Sequence, residues 1–198
     1  MILEHYLIAE VNETNVYVLG CEETKRAAIF DAGGFDPALC AFVNENGLEV
    51  EKIFITHGHY DHVDGLEKYR KAFPGAQVLY AGASLSGAGS VEQVRDGDAI
   101  SVGNLQGKAL AIPGHTGDSM AFYFEEGGDG AMPAASVLFC GDILFAGSVG
   151  GCSGDNREME LRGIREKIFT LPGDTMVFPG HGPASTVAVE EAGNPFLQ

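Results

Sequence analysis

The sequence predicts a mixed α/β fold in which a single domain spans residues 1–198. The length of 198 residues fits one domain. Hydrophobic residues make up 45% of the chain, which is typical of a protein that buries a core rather than of a disordered one. Short apolar runs separated by glycines alternate with segments of helical periodicity, and they form two β-rich halves that each carry helices. This order of elements indicates an α/β architecture.

The first predicted elements are a β-hairpin and a helix. Apolar runs over 16–19 and 27–30 flank a polar turn, which is the pattern of two antiparallel strands. Asp36 is a favourable N-cap residue, and Pro37 suits the first turn of a helix. Gly47 stands where this helix should end, because glycine readily adopts the left-handed conformation found after helices.

A strand–helix–strand unit follows the first helix. Its two strands are predicted over 53–55 and 78–80. Between them, apolar side chains recur at helical spacing: Val63, Leu66, Tyr69 and Phe73. We expect this helix to start near Val63 and to stop at Pro74, which cannot continue it. The small residues over 81–90 predict a loop.

The second half of the chain repeats this mixture of strands and helices. Its strands are predicted over five segments: 99–102, 108–112, 121–124, 137–139 and 176–178. A glycine-rich, acidic loop is predicted over 125–131. A third helix is indicated by four apolar residues: Leu161, Ile164, Ile168 and Leu171. A short fourth helix is predicted over 186–192.

The charge balance and the cysteines narrow the functional classes. With 12 basic and 28 acidic residues the formal net charge is −16, and such a field repels nucleic acids and anionic membranes. No apolar run approaches the roughly 20 residues that cross a bilayer, and the first residues lack a basic leader. The four cysteines match no zinc-finger or redox spacing. We therefore expect a cytoplasmic protein that acts on a small molecule, without nucleic-acid or membrane partners.

Candidate functional residues follow directly on apolar strands at four places. His57, His115, Asp142 and His181 each stand beside a glycine just after such a strand. Loops at one edge of a rigid strand scaffold are where functional sites are usually built. We therefore expect these four side chains to converge, whereas His5 stands apart and has no assigned role.

The block THGHYDH at residues 56–62 contains further candidates at an informative spacing. Residues two apart in an extended segment point the same way, so His57 and His59 can bind one ion. Asp61 and His62 lie where the chain turns toward the next helix, and they can face a second point nearby. The spacing therefore suits two adjacent ions better than one.

The donor types indicate which metals and which chemistry the site would support. Imidazoles and carboxylates without a thiolate suit zinc, iron or manganese, and we expect two divalent ions per chain, zinc before iron or manganese. Two ions about 3.5–4 Å apart can share a carboxylate and a water-derived hydroxide. Such a site activates water and polarises a carbonyl or phosphoryl oxygen, which predicts a hydrolase.

These motifs together resemble those of the metallo-β-lactamase fold superfamily. The resemblance rests on five segments that occur in the family's order: FDAGG at 30–34, THGHYDH at 56–62, GHT at 114–116, GDILF at 141–145 and PGHGP at 179–183. Within the superfamily, the chain is similar to the short single-domain bacterial hydrolases of the glyoxalase II (hydroxyacylglutathione hydrolase) type. The resemblance implies a four-layer αββα sandwich with the metals at one edge, between two β-sheets.

The resemblance also implies a role for each candidate residue. It implies that one ion is held by three histidines: His57, His59 and His115. It implies that the other is held by one carboxylate and two imidazoles: Asp61, His62 and His181. Asp142 would bridge the two ions, and Asp31 of the first motif would support the ligands without being one. Asp61 would also take part in catalysis by receiving or relaying a proton.

The activity implied by the resemblance is hydrolysis of a hydroxyacyl-glutathione-like thioester through a hydroxide that bridges the metals. The chain departs from the family pattern at Asp118, after the third motif, and at Gly151, in a region where related proteins often carry basic residues. Arg157 is the nearest cation in the sequence. The segments 81–96 and 146–157 are expected to determine specificity, and no substrate-binding residue is assigned.

Three alternatives stay open at this point. Persulfide dioxygenases of the same superfamily would use a single iron held by residues matching His57, His115 and Asp142. A lactonase or a thioesterase for another acyl carrier would use the same binuclear site. A metal-stabilised interaction module is favoured least, because every ligand position is filled and such a module needs no open site.

Overall fold

The computed structural model describes residues 1–126 and 136–198, and it shows two β-sheets stacked face to face with helices on both outer faces. The predicted αββα sandwich is therefore confirmed. The loop predicted over 125–131 lies mostly outside the described residues. Within the two described ranges, no helix combines the length and the apolar character that a membrane span requires.

The first sheet contains six strands: β1 Ile2–Ile8, β2 Thr14–Gly20, β3 Arg26–Phe30, β4 Glu49–Phe54, β5 Gln77–Tyr80 and β6 Val91–Gln93. They are ordered along the sheet as along the chain. β1, β2 and β3 pair antiparallel, whereas β3 to β6 pair parallel. Parallel strands direct their carboxyl ends to one edge of the sheet, and the THGHYDH block follows β4 at that edge.

The structure describes eight further strands in 99–126 and 136–198: β7 Ala99–Val102, β8 Leu105–Ala111, β9 Met120–Glu125, β10 Ser136–Gly141, β11 Leu144–Phe145, β12 Ser148–Val149, β13 Met176–Pro179 and β14 Ser185–Thr186. Six of them form the second sheet in the order β14-β13-β10-β9-β8-β7, and β11 pairs with β12 separately. All pairs of this sheet are antiparallel except β10 and β13, which run parallel.

Among the described residues, four α-helices cover the sheets: α1 Pro37–Glu45, α2 Leu66–Ala72, α3 Asp155–Gly163 and α4 Val187–Gly193. Buried residues of α1 and α2 pack on the first sheet. The second sheet is covered by α4 and by the π-helical turn Ile164–Ile168, which continues α3. α1 begins as predicted, because the Asp36 side chain accepts a hydrogen bond from the Ala38 N–H at 2.8 Å.

Strands in the middle of both sheets are buried on both faces, which explains their uninterrupted apolar runs. In β2, Val18 packs with the helices, whereas its neighbour Leu19 packs between the sheets. Aromatic rings fill the space between the sheets, and Phe30 and Phe139 stack there from opposite sheets with centroids 3.7 Å apart. Burial of each such side chain stabilises the fold by about 1.5–3 kcal/mol.

Three predicted boundaries differ from the structure for local reasons. α2 begins at Leu66 rather than near Val63, because the chain first makes a 3₁₀ turn over Tyr60–His62. The segment 81–96, expected to be a loop, contains the short strand β6. Its three residues, two of them polar, are too few to show the alternation of apolar and polar residues that marks a strand. The third predicted helix, marked by Leu161 to Leu171, is in the structure the end of α3 followed by the π-helical turn Ile164–Ile168. Leu171 lies beyond the end of that turn.

Candidate metal centre

The predicted ligands lie at one edge of the sandwich, where strands of both sheets end. His57 lies beyond the end of β4 in the first sheet. Three candidates follow β8, β10 and β13 of the second sheet: His115, Asp142 and His181. The two sheets are joined at this edge by the Met120 N–H, which donates to the Thr56 carbonyl at 2.9 Å. Strand ends from separate parts of the chain therefore bring the candidates together.

Three imidazoles form the first group of donors. Nε2 of His57 lies 3.0 Å from Nδ1 of His59, and Nε2 of His115 lies 3.0 Å from the same His59 atom. His57 and His59 come from the extended segment after β4, as their spacing predicts. Three imidazole nitrogens around one point are a donor set that zinc and iron accept.

Asp61, His62 and His181 form the second group, with one donor atom from each lying within 4.8 Å of the others. Oδ2 of Asp61 is 3.5 Å from Nε2 of His181. The 3₁₀ turn after β4 presents the first two residues, and the loop after β13 presents the third. The block 56–62 thus supplies donors to both groups, as expected from a spacing that suits two adjacent ions.

Asp142 lies between the two groups. Its Oδ1 is 3.3 Å from Nε2 of His62, and its Oδ2 is 3.6 Å from Nε2 of both His115 and His181. The carboxylate therefore reaches histidines of both groups, which is the position that a bridging ligand requires. Gly180 is needed here, because a Cβ at this residue would lie 2.3 Å from Oδ1 of Asp142.

Asp31 holds His62 in a fixed orientation without joining either donor group. Its Oδ2 accepts a hydrogen bond from Nδ1–H of His62 at 2.8 Å. The carboxylate also accepts from the backbone N–H of Thr56 at 2.8 Å and from its hydroxyl at 2.9 Å. Asp31 has a φ of +57°, a conformation that costs energy for a residue other than glycine. These three hydrogen bonds compensate for that cost.

Thr56 extends the same constraint to His57. The Thr56 hydroxyl donates its hydrogen to Asp31, so it accepts the hydrogen bond from Nδ1–H of His57 at 3.1 Å. Nε2 of His57 then carries the lone pair that faces His59. Hydrogen bonds of this kind fix the tautomer and the ring orientation of metal-binding histidines.

Burial and neighbouring charges determine the protonation states. Burial lowers the pKa of His57 to about 4, and the nearby His62 adds to the effect. Burial acts in the same direction on His62, but the carboxylates of Asp31 and Asp142 outweigh it and raise the pKa of His62 to about 10. Burial opposes ionisation of Asp142, yet His62 lowers the pKa of this carboxyl to about 2. A divalent cation at His62 would therefore replace a proton.

The donor atoms fit a pair of divalent cations. Nε2 of His62 and Oδ1 of Asp142 are buried and face each other at 3.3 Å, and neither makes a well-aligned hydrogen bond within the described part of the chain. Buried polar atoms without partners are costly, and an ion would satisfy both. His57 and His62 are buried whereas His59 is exposed, so the two groups open to solvent on one side. The site can therefore admit a substrate.

Two carboxylates outside the predicted donor set support the first group. Oδ2 of Asp118 accepts hydrogen bonds from the Gly58 N–H, at 3.1 Å, and from the Tyr80 hydroxyl. The carboxylate of Glu160, fully buried on α3, accepts the backbone N–H of His115 at 3.1 Å. Asp118 stands out in the sequence because it departs from the usual third motif, whereas no sequence signal marks Glu160.

The sandwich and its grouped histidine and aspartate donors are the arrangement of a metal-dependent enzyme. The family model for the metallo-beta-lactamase superfamily matches residues 9–181. The chain therefore belongs to the metallo-beta-lactamase superfamily, and it is a metallo-hydrolase.

Three relatives illustrate the range of similar proteins. The probable metallo-hydrolase YqgX of Bacillus subtilis is 31% identical over 205 residues, covering 93% of this chain and 92% of that protein. A hydroxyacylglutathione hydrolase of Gloeobacter violaceus is 36% identical over 184 residues, covering 90% of this chain and 67% of that protein. The human mitochondrial persulfide dioxygenase ETHE1 is 31% identical over 207 residues, covering 99% of this chain and 76% of that protein.

Solved structures show the same fold. The crystal structure of the B3 metallo-beta-lactamase BLEG-1 matches with a TM-score of 0.81 and 28% identity over 100% of both chains. The crystal structure of TTHA1623 in a di-iron-bound form matches with a TM-score of 0.75 and 27% identity, covering 98% of this chain and 100% of that one.

Proposed function

We propose that this protein is a binuclear metal-dependent thioesterase that hydrolyses a hydroxyacyl thioester of the glutathione type. The observation that carries the proposal is the position of Asp142, whose two oxygens reach histidines of both donor groups. A carboxylate shared between two ions about 3.5–4 Å apart is characteristic of binuclear hydrolytic sites. With a single ion in the first group, the buried Nε2 of His62 in the second group would have no cation beside it.

The proposed ligands divide between the two ions. One ion would be held by the first group: His57, His59 and His115. The other would be held by the second group: Asp61, His62 and His181. Asp142 would bridge them, and zinc is proposed before iron or manganese. When bound, the ions supply a water-derived nucleophile at neutral pH and polarise the acyl oxygen of the substrate.

Asp61 is the proposed proton acceptor. Burial opposes its ionisation, but the Asn12 amide and the charge of His62 hold the pKa of this carboxyl below its ordinary value. Asp61 is therefore ionised at neutral pH and can accept the proton that water loses when it attacks the acyl carbon. The new C–O bond replaces the C–S bond, and the proton passes on to the departing thiolate.

The substrate class is proposed from the similarity to hydroxyacylglutathione hydrolases, one of which is 36% identical. The charge of the chain modifies this proposal. The net charge is −16, segment 146–156 contains no lysine or arginine, and the Arg157 guanidinium lies over the Phe196 ring at 5.6 Å. Because S-lactoylglutathione is anionic, we expect this protein to bind it more weakly than thioesters of uncharged carriers.

The partners and the location are proposed on the same basis. We propose a small-molecule thioester or ester as the partner, with no nucleic acid and no membrane. A cytoplasmic location is supported by four cysteines that are all free, as expected for a reducing compartment.

A hydrolysis panel tests the proposed function. Zn²⁺-loaded and Fe²⁺-loaded protein would be assayed on S-lactoylglutathione, on a thioester of an uncharged carrier and on a lactone. We expect thioester hydrolysis that is lost in Asp142→Ala and kept in Asp174→Ala, a control at an exposed aspartate. Protein with two bound ions and no thioester hydrolysis would overturn the proposed substrate class.

The same panel separates the alternatives. Hydrolysis of the lactone alone would replace the thioesterase by a lactonase. One iron per chain, with oxygen uptake on glutathione persulfide, would overturn the binuclear proposal in favour of a persulfide dioxygenase. The similarity to human ETHE1 makes this measurement necessary.

A further inference from the structure

The turn between β1 and β2, residues 9–13, contacts two of the three donors in the second group. Nδ2 of Asn12 donates a hydrogen bond to Oδ2 of Asp61 at 2.7 Å. The carbonyl of Glu13 accepts a hydrogen bond from Nδ1–H of His181 at 3.3 Å. This turn lies outside every motif of the sequence, so its role in the site comes from the structure alone.

The backbone of this turn is held in an unfavourable conformation. Asn12 and Glu13 have φ angles of +55° and +53°. Two successive residues in this left-handed region are costly for L-amino acids, although asparagine tolerates it better than most. The turn is closed by Thr14, whose N–H and hydroxyl both donate to the Val11 carbonyl, at 3.1 Å and 2.8 Å. This conformation directs the Asn12 amide and the Glu13 carbonyl at the second group.

The strand that follows the turn is tied to the loop that carries His181. The buried Asn15 donates through its side-chain amide to the carbonyls of Pro179, at 3.0 Å, and Gly182, at 2.9 Å. Its backbone N–H donates to the Gly180 carbonyl at 2.8 Å. The turn and the His181 loop are therefore a single connected unit, and this unit also holds Asp61.

We propose that Asn12 is a positioning residue for the second metal ion and that its amide orients the Asp61 carboxylate toward that ion. The inference rests on the proposed binuclear function. Within the described residues, the side-chain hydrogen bond of Asn12 reaches the second group and not His57, His59 or His115. Removal of the amide should therefore weaken binding of the second ion and leave the first ion unaffected.

A zinc titration of the metal-free full chain tests this assignment. Zn²⁺ would be added in competition with a chromophoric chelator, to resolve the affinities of the first and second ions in wild type, Asn12→Gly and Glu13→Gly. We expect Asn12→Gly to bind the second ion about 10-fold or more weakly, as is typical when a partner of a metal ligand is lost. The affinity of the first ion should match wild type.

The Asn12→Gly substitution removes the side-chain amide without straining the backbone of the turn, so it tests the amide alone. Glycine adopts a φ of +55° without steric cost, so a role limited to the shape of the turn predicts undiminished second-ion binding in Asn12→Gly. That result would overturn the inference. Glu13→Gly relieves the same type of strain but keeps the Asn12 amide and the carbonyl at position 13, and we expect it to match wild type. A loss in Glu13→Gly equal to that in Asn12→Gly would also overturn the assignment to the amide.

The wild-type titration distinguishes failure of the Asn12 role from failure of the proposed binuclear function. Wild type that binds two ions, together with unchanged second-ion affinity in Asn12→Gly, overturns the role of Asn12 and leaves the proposed function intact. Wild type that binds a single ion overturns both. Thermal unfolding of the metal-free variants verifies that each one is folded before titration.

Discussion

Asp31 accepts a hydrogen bond from Nδ1–H of His62 at 2.8 Å, and this contact leaves Nε2 of the same ring to face Asp142. A neutral imidazole carries one proton, and the acceptor at Nδ1 determines which nitrogen keeps it. Asp31 therefore selects the tautomer that can bind an ion through Nε2. The left-handed backbone at Asp31, with φ +57°, is maintained to keep this carboxylate in place.

The contact between Asp31 and His62 should strengthen binding of the second ion. Asp31→Asn keeps the size of the side chain and tolerates the left-handed backbone, but it replaces a charged acceptor by an amide. We expect the second ion to bind about 10–100-fold more weakly, because partners of metal-binding histidines contribute affinity of that order. Equilibrium zinc titration of the variant measures this, and wild-type affinity for both ions would show that Asp31 does not act on the metal.

The stability of the metal-free protein should fall as the pH rises from about 6.5 toward 10. Burial alone lowers the pKa of His62, but Asp31 and Asp142 outweigh it and raise the pKa from 6.5 to about 10 in the folded protein. The folded state therefore holds this proton more tightly than the unfolded state. The resulting stabilisation is fully present below pH 6.5 and is lost as the pH rises through about 10.

Urea unfolding of metal-free wild type and His62→Gln across this pH range checks the prediction. Wild type should lose stability relative to the variant toward high pH, since the variant lacks the titrating group and retains the others. Parallel profiles for the two proteins would mean that His62 keeps its ordinary pKa in the fold.

Asp142→Ala should remove activity and most of the bound metal together. The carboxylate reaches Nε2 of His62, His115 and His181 within 3.3–3.6 Å, so its loss affects both proposed ion positions. Elemental analysis of protein purified without chelator measures the metal content, with Asp174→Ala as the control. If Asp142→Ala retained two ions per chain or full activity, the bridging role would be wrong.

Removal of the Phe30 ring should destabilise the core between the sheets. This side chain is 1% exposed and stacks on Phe139 of the opposite sheet. We expect Phe30→Ala to lower the free energy of unfolding by about 3–5 kcal/mol, the usual cost of removing a buried aromatic ring. Phe196→Ala, at a side chain that is 46% exposed, should cost about 1 kcal/mol or less, and denaturant unfolding compares the two. Similar losses in both variants would contradict this view of the core.

Much of the fold could be predicted because its central strands are buried on both faces. Such strands produce continuous apolar runs, as in β2 and β10, and these runs are visible without an alignment. β1 could not be predicted in this way. It lies at the edge of the first sheet and its burial is interrupted, with an exposed His5 in its middle.

The candidate ligands could be predicted for a different reason, namely that each follows a strand in a short local motif. His57 and His59 reveal their shared direction through a spacing of two residues. Asn12 reveals nothing comparable, because its partner Asp61 is 49 residues away and the two meet only through the pairing of β2, β3 and β4 within the first sheet. The contact between Glu160 and the His115 backbone likewise joins residues that are distant in the sequence, one on α3 and the other after β8.

Anomalous diffraction from crystals of the zinc-loaded protein would locate the bound ions. We expect two metal peaks at the edge of the sandwich, one among His57, His59 and His115 and the other among Asp61, His62 and His181. Asp142 should contact both. A single peak, or peaks away from these side chains, would contradict the binuclear site on which the proposed activity depends.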